Sequence, residues 1–281
     1  MDKGKIIIYQ TPDSNTQLDV KPENETVLIM NDSLKSPFIA NWKKYFQDSP
    51  LPIAVFFSDE LHNAEPARKF NTHHCLIADL MKVHKGQSLA FNAENIGCGG
   101  GKRFCGFAKE IRLGFEYFLS YGIPGKMEGE RYKKDPETVM ELMKNNPAIT
   151  APTKWLIAKP FDKLEPEDEP EVIIFFASPD VISGLFTLAN YDRADLYGVK
   201  SPFSPGCGSV IQYALLENNR DKPDCILGMF DSSARPYIKS GLLSFAIPIK
   251  RFATLVGYMD ECFLSTETWN VIRKRISNSA E

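Results

Sequence analysis

The residues of this chain best suited to chemistry gather in a few short stretches rich in glycine, cysteine and charge. The first is Gly97-Cys98-Gly99-Gly100-Gly101-Lys102-Arg103-Phe104-Cys105-Gly106. Consecutive glycines let backbone N–H groups converge, and a helix start following them attracts anions. Lys102 and Arg103 add positive charge, and the same field favours a thiolate at Cys98. Neither a Walker A loop nor a dinucleotide fingerprint is present: no Gly-Lys-Ser/Thr follows, and the glycine spacing differs. The plainer reading is a tight strand-to-helix connection carrying a small buried cysteine. Gly206-Cys207-Gly208-Ser209 repeats the glycine–cysteine chemistry later in the chain.

A second stretch, Lys126-Met127-Glu128-Gly129-Glu130-Arg131-Tyr132, presents two carboxylates, a guanidinium and a phenol on a loop with glycines at 122, 125 and 129. Arg131 can clamp a carboxylate or phosphate, and Glu128 or Glu130 can serve acid–base work. The alternative is a solvated loop with internal ion pairs. A third stretch is Asp231-Ser232-Ser233-Ala234-Arg235-Pro236-Tyr237. Asp231 reads as a helix N-cap, and Arg235, one turn into that helix, is placed to face a cleft at the strand ends. No Gly-x-Ser-x-Gly elbow occurs, and no histidine is suitably placed for a triad.

Six cysteines (75, 98, 105, 207, 225, 262) and four histidines are spread along the chain. Without a secretory signal, they read as reduced thiols rather than a disulfide framework. Cys98 and Cys105, seven apart, could share a metal or an iron–sulfur cluster only with help from Cys207 or Cys75. Cys225 in a strand and Cys262 on an amphipathic helix read as small buried hydrophobes. His73-His74-Cys75 reads as a helix start with a packed thiol.

The elements that must position these residues follow from apolar periodicity and turn chemistry. Residues 5–30 alternate strand-like runs with turns and predict a small antiparallel meander, marginal unless it leans on something else. A helix opens at Asp32 or Ser33, with Leu34, Phe38, Ile39, Trp42, Tyr45 and Phe46 at helical spacing, and Pro50 stops it. Strands are expected at 52–57, 88–91, 155–161, 172–177, 225–230 and 243–247. Helices are expected at 75–83, from about Lys102, from Asp135-Pro136, at 181–189, through Leu216, after Asp231, at 251–263 and at 266–276. The fold class is α+β, a mixed sheet with flanking helices, because the steady βαβ rhythm of a dinucleotide fold is missing. An internal echo is visible. Val55-Phe56-Phe57-Ser58-Asp59 leads to a helix and then Gly97-Cys98-Gly99, and Ile174 to Asp180 leads to a helix and then Gly206-Cys207-Gly208. It suggests a duplication placing two glycine–cysteine turns near a pseudo-twofold axis.

At 281 residues, 43% hydrophobic and 25% charged with net charge −3, the composition is that of an ordinary globular protein. Nothing in the charge points to nucleic acid or an anionic membrane as partner. The longest apolar run, Val172 to Ala177, is far short of the ~20 residues a membrane span needs. No signal-peptide core follows Met1, so the expected compartment is the cytoplasm.

Two resemblances attach to these residues. Ile8-Tyr9-Gln10-Thr11 and Glu25-Thr26-Val27 resemble the amino-terminal hairpin of the virulence-protein RhuM family, which implies a hairpin over residues 4–30 and no DNA-binding function, since Asn31-Asp32-Ser33 opens something else. From about 34 to 276 the chain resembles the uncharacterised ArCR proteins of domain of unknown function 169. The residues carrying that likeness are Pro52-Ile53-Ala54-Val55, Glu94-Asn95-Ile96-Gly97-Cys98-Gly99-Gly100, Glu128-Gly129-Glu130-Arg131-Tyr132, Asn190-Tyr191, Gly206-Cys207-Gly208-Ser209, Asp231-Ser232-Ser233-Ala234-Arg235 and Phe245-Ala246-Ile247-Pro248. The resemblance implies an identity and no mechanism.

The expected organisation is therefore a hairpin module at 1–31 and a main domain at 32–281. The main domain is expected to bind a small anionic metabolite or cofactor with Gly99, Gly100, Gly101, Arg131, Tyr132, Gly208, Ser209 and Arg235. Cys98, Cys207 or Glu130 would carry any reaction. A cysteine-ligated metal or iron–sulfur protein using Cys98, Cys105 and Cys207 is the first alternative. A non-enzymatic interaction module docking through the first thirty residues is the second.

Overall fold

The computed structural model describes residues 32–109, 112–146 and 148–278, so the hairpin expected in residues 1–31 lies outside the described residues. The chain opens with α1 (Asp32–Phe46), whose Phe38, Trp42, Tyr45 and Phe46 are buried at helical spacing. It continues through β1 (Ile53–Ser58), β2 (Glu65–Pro66), α2 (Leu76–His84), β3 (Leu89–Phe91) and α3 (Gly99–Phe104). A small subassembly follows, made of α4 (Phe115–Leu119), the hairpin β4 (Gly122–Ile123) and β5 (Met127–Glu128), and α5 (Pro136–Asn145). Asp135 caps α5 by accepting from Thr138 N at 2.8 Å, with Pro136 at the first position where its missing N–H costs nothing.

The second half holds β6 (Trp155–Pro160), β7 (Val172–Ala177), α6 (Pro179–Ala189), β8 (Val199–Lys200) and α7 (Tyr213–Glu217), the last preceded by a π-turn over Gly208–Gln212. It ends with β9 (Cys225–Gly228), β10 (Leu243–Pro248), α8 (Ile249–Tyr258) and α9 (Glu267–Asn278). Eight of these strands form one mixed sheet in the order β2-β3-β6-β1-β7-β10-β9-β8. Helices cover both faces, so the central strands read as continuous apolar runs instead of alternating. On one face Ala54, Phe56, Ile173, Phe175 and Phe245 pack under α1, α6, α8 and α9. On the other, Val55, Phe57, Ile174, Phe176 and Ala246 pack under α2, α3 and α7, where Cys105 and Cys207 are buried. Among the described residues no helix is long and apolar enough to cross a membrane.

The sheet is pseudo-symmetric about the β1–β7 seam. β1 pairs antiparallel with β6, β6 with β3, and β3 runs parallel to β2. On the other side β7 pairs antiparallel with β10, β10 with β9, and β9 runs parallel to β8. The registers agree as well. Ile53 faces Pro160 where Val172 faces Pro248, and each proline is followed by an N–H that returns to the matching strand entrance: Phe161 N to Pro52 O, and Ile249 N to Glu171 O, both at 3.0 Å. The pseudo-twofold arrangement expected from the Phe-Phe echo is thus present in the topology. Its glycine–cysteine turns, however, are not equivalents. Gly97-Cys98-Gly99 follows β3, whereas Gly206-Cys207-Gly208 precedes β9, so Cys207 corresponds to Cys75 at the start of α2.

Several expected elements differ in extent, among them the strand expected at 225–230, which ends at Gly228. The helix expected from Lys102 begins at Gly99 and ends at Phe104. The helix expected after Asp231 is a single 3-10 turn, Arg235–Tyr237. The helix expected through Phe263 stops at Tyr258, and Phe263 enters a separate 3-10 turn.

Candidate functional site

The turn after β3 is tied down before α3 begins. Asn95 is buried, donates from its amide to Ala90 O at 2.9 Å, and accepts from Asn92 N at 2.8 Å. Cys98, in extended conformation, caps α3, its sulfur accepting from Gly101 N at 3.2 Å. The glycines are therefore the first turn of a short helix. A Cβ at Gly99 or Gly100 would meet nothing within 4 Å among the described residues, and one at Gly101 would meet the Cys98 sulfur at 2.9 Å.

Against α3 lies the second glycine–cysteine segment. Gly206 N donates to Asp231 Oδ2 at 2.9 Å, so Asp231 caps the helix that carries Cys207 in addition to its own turn, where Oδ1 takes Ser233 N. A Cβ at Gly208 would stand 2.8 Å from the Phe104 ring, which makes glycine the residue that lets the two segments touch. Ser209 is buried, and its hydroxyl donates to Gly206 O at 3.0 Å. Gly208 and Ser209 thus hold the packing together. The π-turn they open is a form often seen at functional sites.

Cys75, Cys98, Cys105 and Cys207 are neighbours in this layer, close enough to influence one another's ionisation. Burial pushes Cys75 up to about 11 and Cys207 well above the ordinary thiol value, and it raises Cys105 likewise. Burial thus favours the neutral thiol at Cys207. Cys98 keeps partial exposure. Among the described residues no three His, Cys, Asp or Glu side chains converge on a point that could hold a metal ion, so Cys98, Cys105 and Cys207 are adjacent without forming a ligand set.

The most informative residue here is Arg103, which the sequence showed only as local positive charge. It is 5% exposed, its Nη1 has no hydrogen-bond partner, and among the described residues no carboxylate pairs with it. Burial lowers its pKa, partly offset by the nearby Tyr213 phenol. Tyr213 is itself held high by burial and donates to Asn146 Oδ1 at 3.2 Å, which also takes the Gln212 amide at 3.4 Å. Tyr213, Gln212 and Asn146 thus form a hydrogen-bonded polar group, and the unpaired Arg103 cation lies close enough to Tyr213 for each to shift the other's ionisation.

The 126–132 loop is the β4–β5 hairpin and its exit. Its geometry requires glycine: a Cβ at Gly129 would sit 2.2 Å from Ser120 O. Glu128, Glu130 and Arg131 are exposed, and Arg131 adopts φ +56°. Tyr132 turns inward toward the Asp231–Ser233 turn. Burial, then the Glu130 and Asp231 carboxylates, raise its pKa. Lys133 Nζ lies 4.0 Å from the Phe203 ring centre. Arg235 is engaged with backbone, donating to Leu242 O. The structure therefore brings Tyr132, Asp231, Cys207, Cys98 and Arg103 to one side of the sheet, with exposed Phe203 and Phe230 beside them. Arg131 and Glu130 remain on the outer surface of the hairpin.

A second polar constellation was not visible in the sequence. Ser58, His62 and Asp168 form a row, with His62 Nε2 2.9 Å from Ser58 Oγ and Nδ1 2.9 Å from Asp168 Oδ1. It lies where β1 ends, against the α1 face of the sheet, and near a cleft of about 720 Å³ lined by Asn63, Gln87, Lys159, Lys163 and Glu165 among others. His62 does occupy a triad-like position, contrary to the sequence expectation. The partners lie 106 residues apart, which no local pattern discloses.

Comparison with protein families matches residues 46–257 to domain of unknown function 169, the uncharacterised ArCR proteins. Searches of the curated proteins and of the solved structures found no match.

Proposed function

We propose that this chain, which belongs to the family of domain of unknown function 169, binds a small anionic metabolite through Arg103. The observation that carries the reading is a guanidinium removed from water with no counter-charge. A buried charge without a partner is costly, and a planar fork of donors suits a carboxylate or phosphate. Tyr213 supplies a phenol and Asn146 an amide beside it. Phe203 and Phe230 would cover an apolar remainder of the ligand. Gly99 and Gly100, in the same short helix as Arg103, stand open, and Tyr132 lies against the Asp231–Ser233 turn. Cys98 is the thiol placed to meet a bound carbonyl or disulfide, since the neighbouring Cys105 and Cys207 are buried and neutral.

The metal or iron–sulfur reading draws no support from the donor geometry. The test is a thermal-shift and calorimetric screen of inorganic phosphate, phosphate monoesters, and mono- and dicarboxylates against the wild type, Arg103→Met and Arg103→Lys. Binding that Arg103→Met abolishes and Arg103→Lys weakens supports the reading, because lysine keeps the charge and loses the fork. Equal binding by wild type and Arg103→Met would remove Arg103 from any site.

A further inference from the structure

The Ser58–His62–Asp168 row has an internal logic that fixes its protons. Asp168 is fully buried and bound on three sides: Lys159 Nζ at 2.6 Å and Glu165 N at 2.8 Å on Oδ2, and His62 Nδ1 at 2.9 Å on Oδ1. A carboxylate paired with Lys159 accepts hydrogen bonds and has none to give, so Nδ1 of His62 carries the proton. In the neutral ring Nε2 is then the acceptor. Ser58 Oγ already accepts from Glu60 N at 3.1 Å, which leaves its own hydroxyl proton to donate to His62 Nε2 at 2.9 Å. Nucleophile, base and orienting acid therefore stand in the order and spacing that general-base activation of a serine requires.

The charges favour the same step. Lys159 is 2% exposed and pairs with Glu165 at 3.0 Å as well as with Asp168. One cation between two carboxylates leaves a net negative site, which an imidazolium formed at His62 would neutralise. The backbone is held in an unusual shape to achieve this. His62 and Asn63 both have positive φ, +48° and +56°. Asn63 is fastened to both Glu165 oxygens at 3.0 and 3.1 Å, and the His62 ring stands edge-on to Phe56 with centroids 5.2 Å apart. Consecutive non-glycine residues in that region are strained, and such strain collects at functional sites.

We propose that Ser58 is an acyl-accepting nucleophile for a small carboxylic ester or thioester entering from the cleft that begins at Asn63. In the first step Ser58 Oγ bonds to the acyl carbon while its proton passes to His62 Nε2. The bond to the leaving oxygen or sulfur breaks, and His62 returns the proton to it. Water, deprotonated by the same ring, then attacks the acyl-serine and releases the carboxylic acid. This site is separate from Arg103, and either reading can fail without the other.

The experiment treats the folded full chain with a fluorophosphonate probe and maps the adduct by peptide mass, alongside hydrolysis of p-nitrophenyl acetate. The expected result is one adduct on Ser58, with labelling and hydrolysis about 10²-fold or more slower in His62→Gln and Asp168→Asn. Heat-denatured wild type should lose the adduct, which guards against variants that fail to fold. Absence of a Ser58 adduct in the folded wild type, or equal labelling in a folded His62→Gln, would overturn the proposal and leave the row as a polar pin between two loops.

Discussion

A guanidinium that packing has enclosed behaves differently from one at the surface, and Arg103 makes that difference measurable. Replacing it with methionine keeps the side-chain length while removing the uncompensated charge. In the absence of ligand, Arg103→Met should therefore be more stable than wild type by about 1 kcal/mol, a rise in Tm of roughly 2–4 °C in calorimetry. A fall would mean the charge has a partner in solution. The thiols make a second prediction. Burial raises Cys75 to about 11 and Cys225 to about 12, above their unfolded value near 9. A group whose folded pKa is raised holds its proton more tightly in the native state. Its contribution is thus complete below pH 9 and disappears as pH climbs through 11 to 12. Denaturant titrations should show stability falling over that window, and Cys225→Ala should flatten the decline. Tyr132 and Asp231 were legible in the sequence as residues of interest because their motifs are local. Arg103 was legible only as charge, because its burial depends on α7, more than a hundred residues away.

At the scale of elements, the contact between α3 and the π-turn before α7 decides where Arg103 sits. Gly208→Ala would push a methyl into the Phe104 ring at 2.8 Å, in a layer where both are buried. The expected cost is about 1–3 kcal/mol in urea unfolding, partly recovered by Phe104→Leu. Gly100→Ala meets open space in a helical turn and should stabilise by up to ~1 kcal/mol. If both substitutions prove neutral, the close approach is not what glycine is for. The strands and most helices were readable because apolar runs and caps such as Asp135 are local signals. The start of α3 is not legible in the sequence because three glycines do not advertise a helix. Here the helix is held by the Cys98 cap and by the burial of its own Phe104 in the cluster that contains Ile96. The local motif shows Asp231 as the cap of its own turn, and its second role toward Gly206 spans 25 residues that no local window covers.

Across the whole molecule, β1, β6, β7 and β10 form the middle of a sheet covered on both faces. Among the described residues, native-state hydrogen exchange should be slowest in those four strands and fastest between residues 112 and 135, where the small hairpin carries few buried side chains. Uniform protection across both regions would contradict that hierarchy. The α+β class was legible from composition and element order, and the sheet order was not, because strand pairing across gaps such as β1 to β6 leaves no trace in spacing. The seam has one further consequence. Ala54 faces Ile173 across it, and the matching registers make those two positions counterparts as well as neighbours. Each half of the sheet thus meets the other through the same spot on its own first strand. Two identical copies of an ancestral half-length chain would have met in that way, so the fold keeps in one polypeptide the outline of a homodimer. The Arg103 cluster then draws on both halves, Arg103 and Asn146 from the first and Tyr213 and Gln212 from the second, whereas the Ser58 row belongs to the stretch before β7, with Ala177 at the position that corresponds to Ser58.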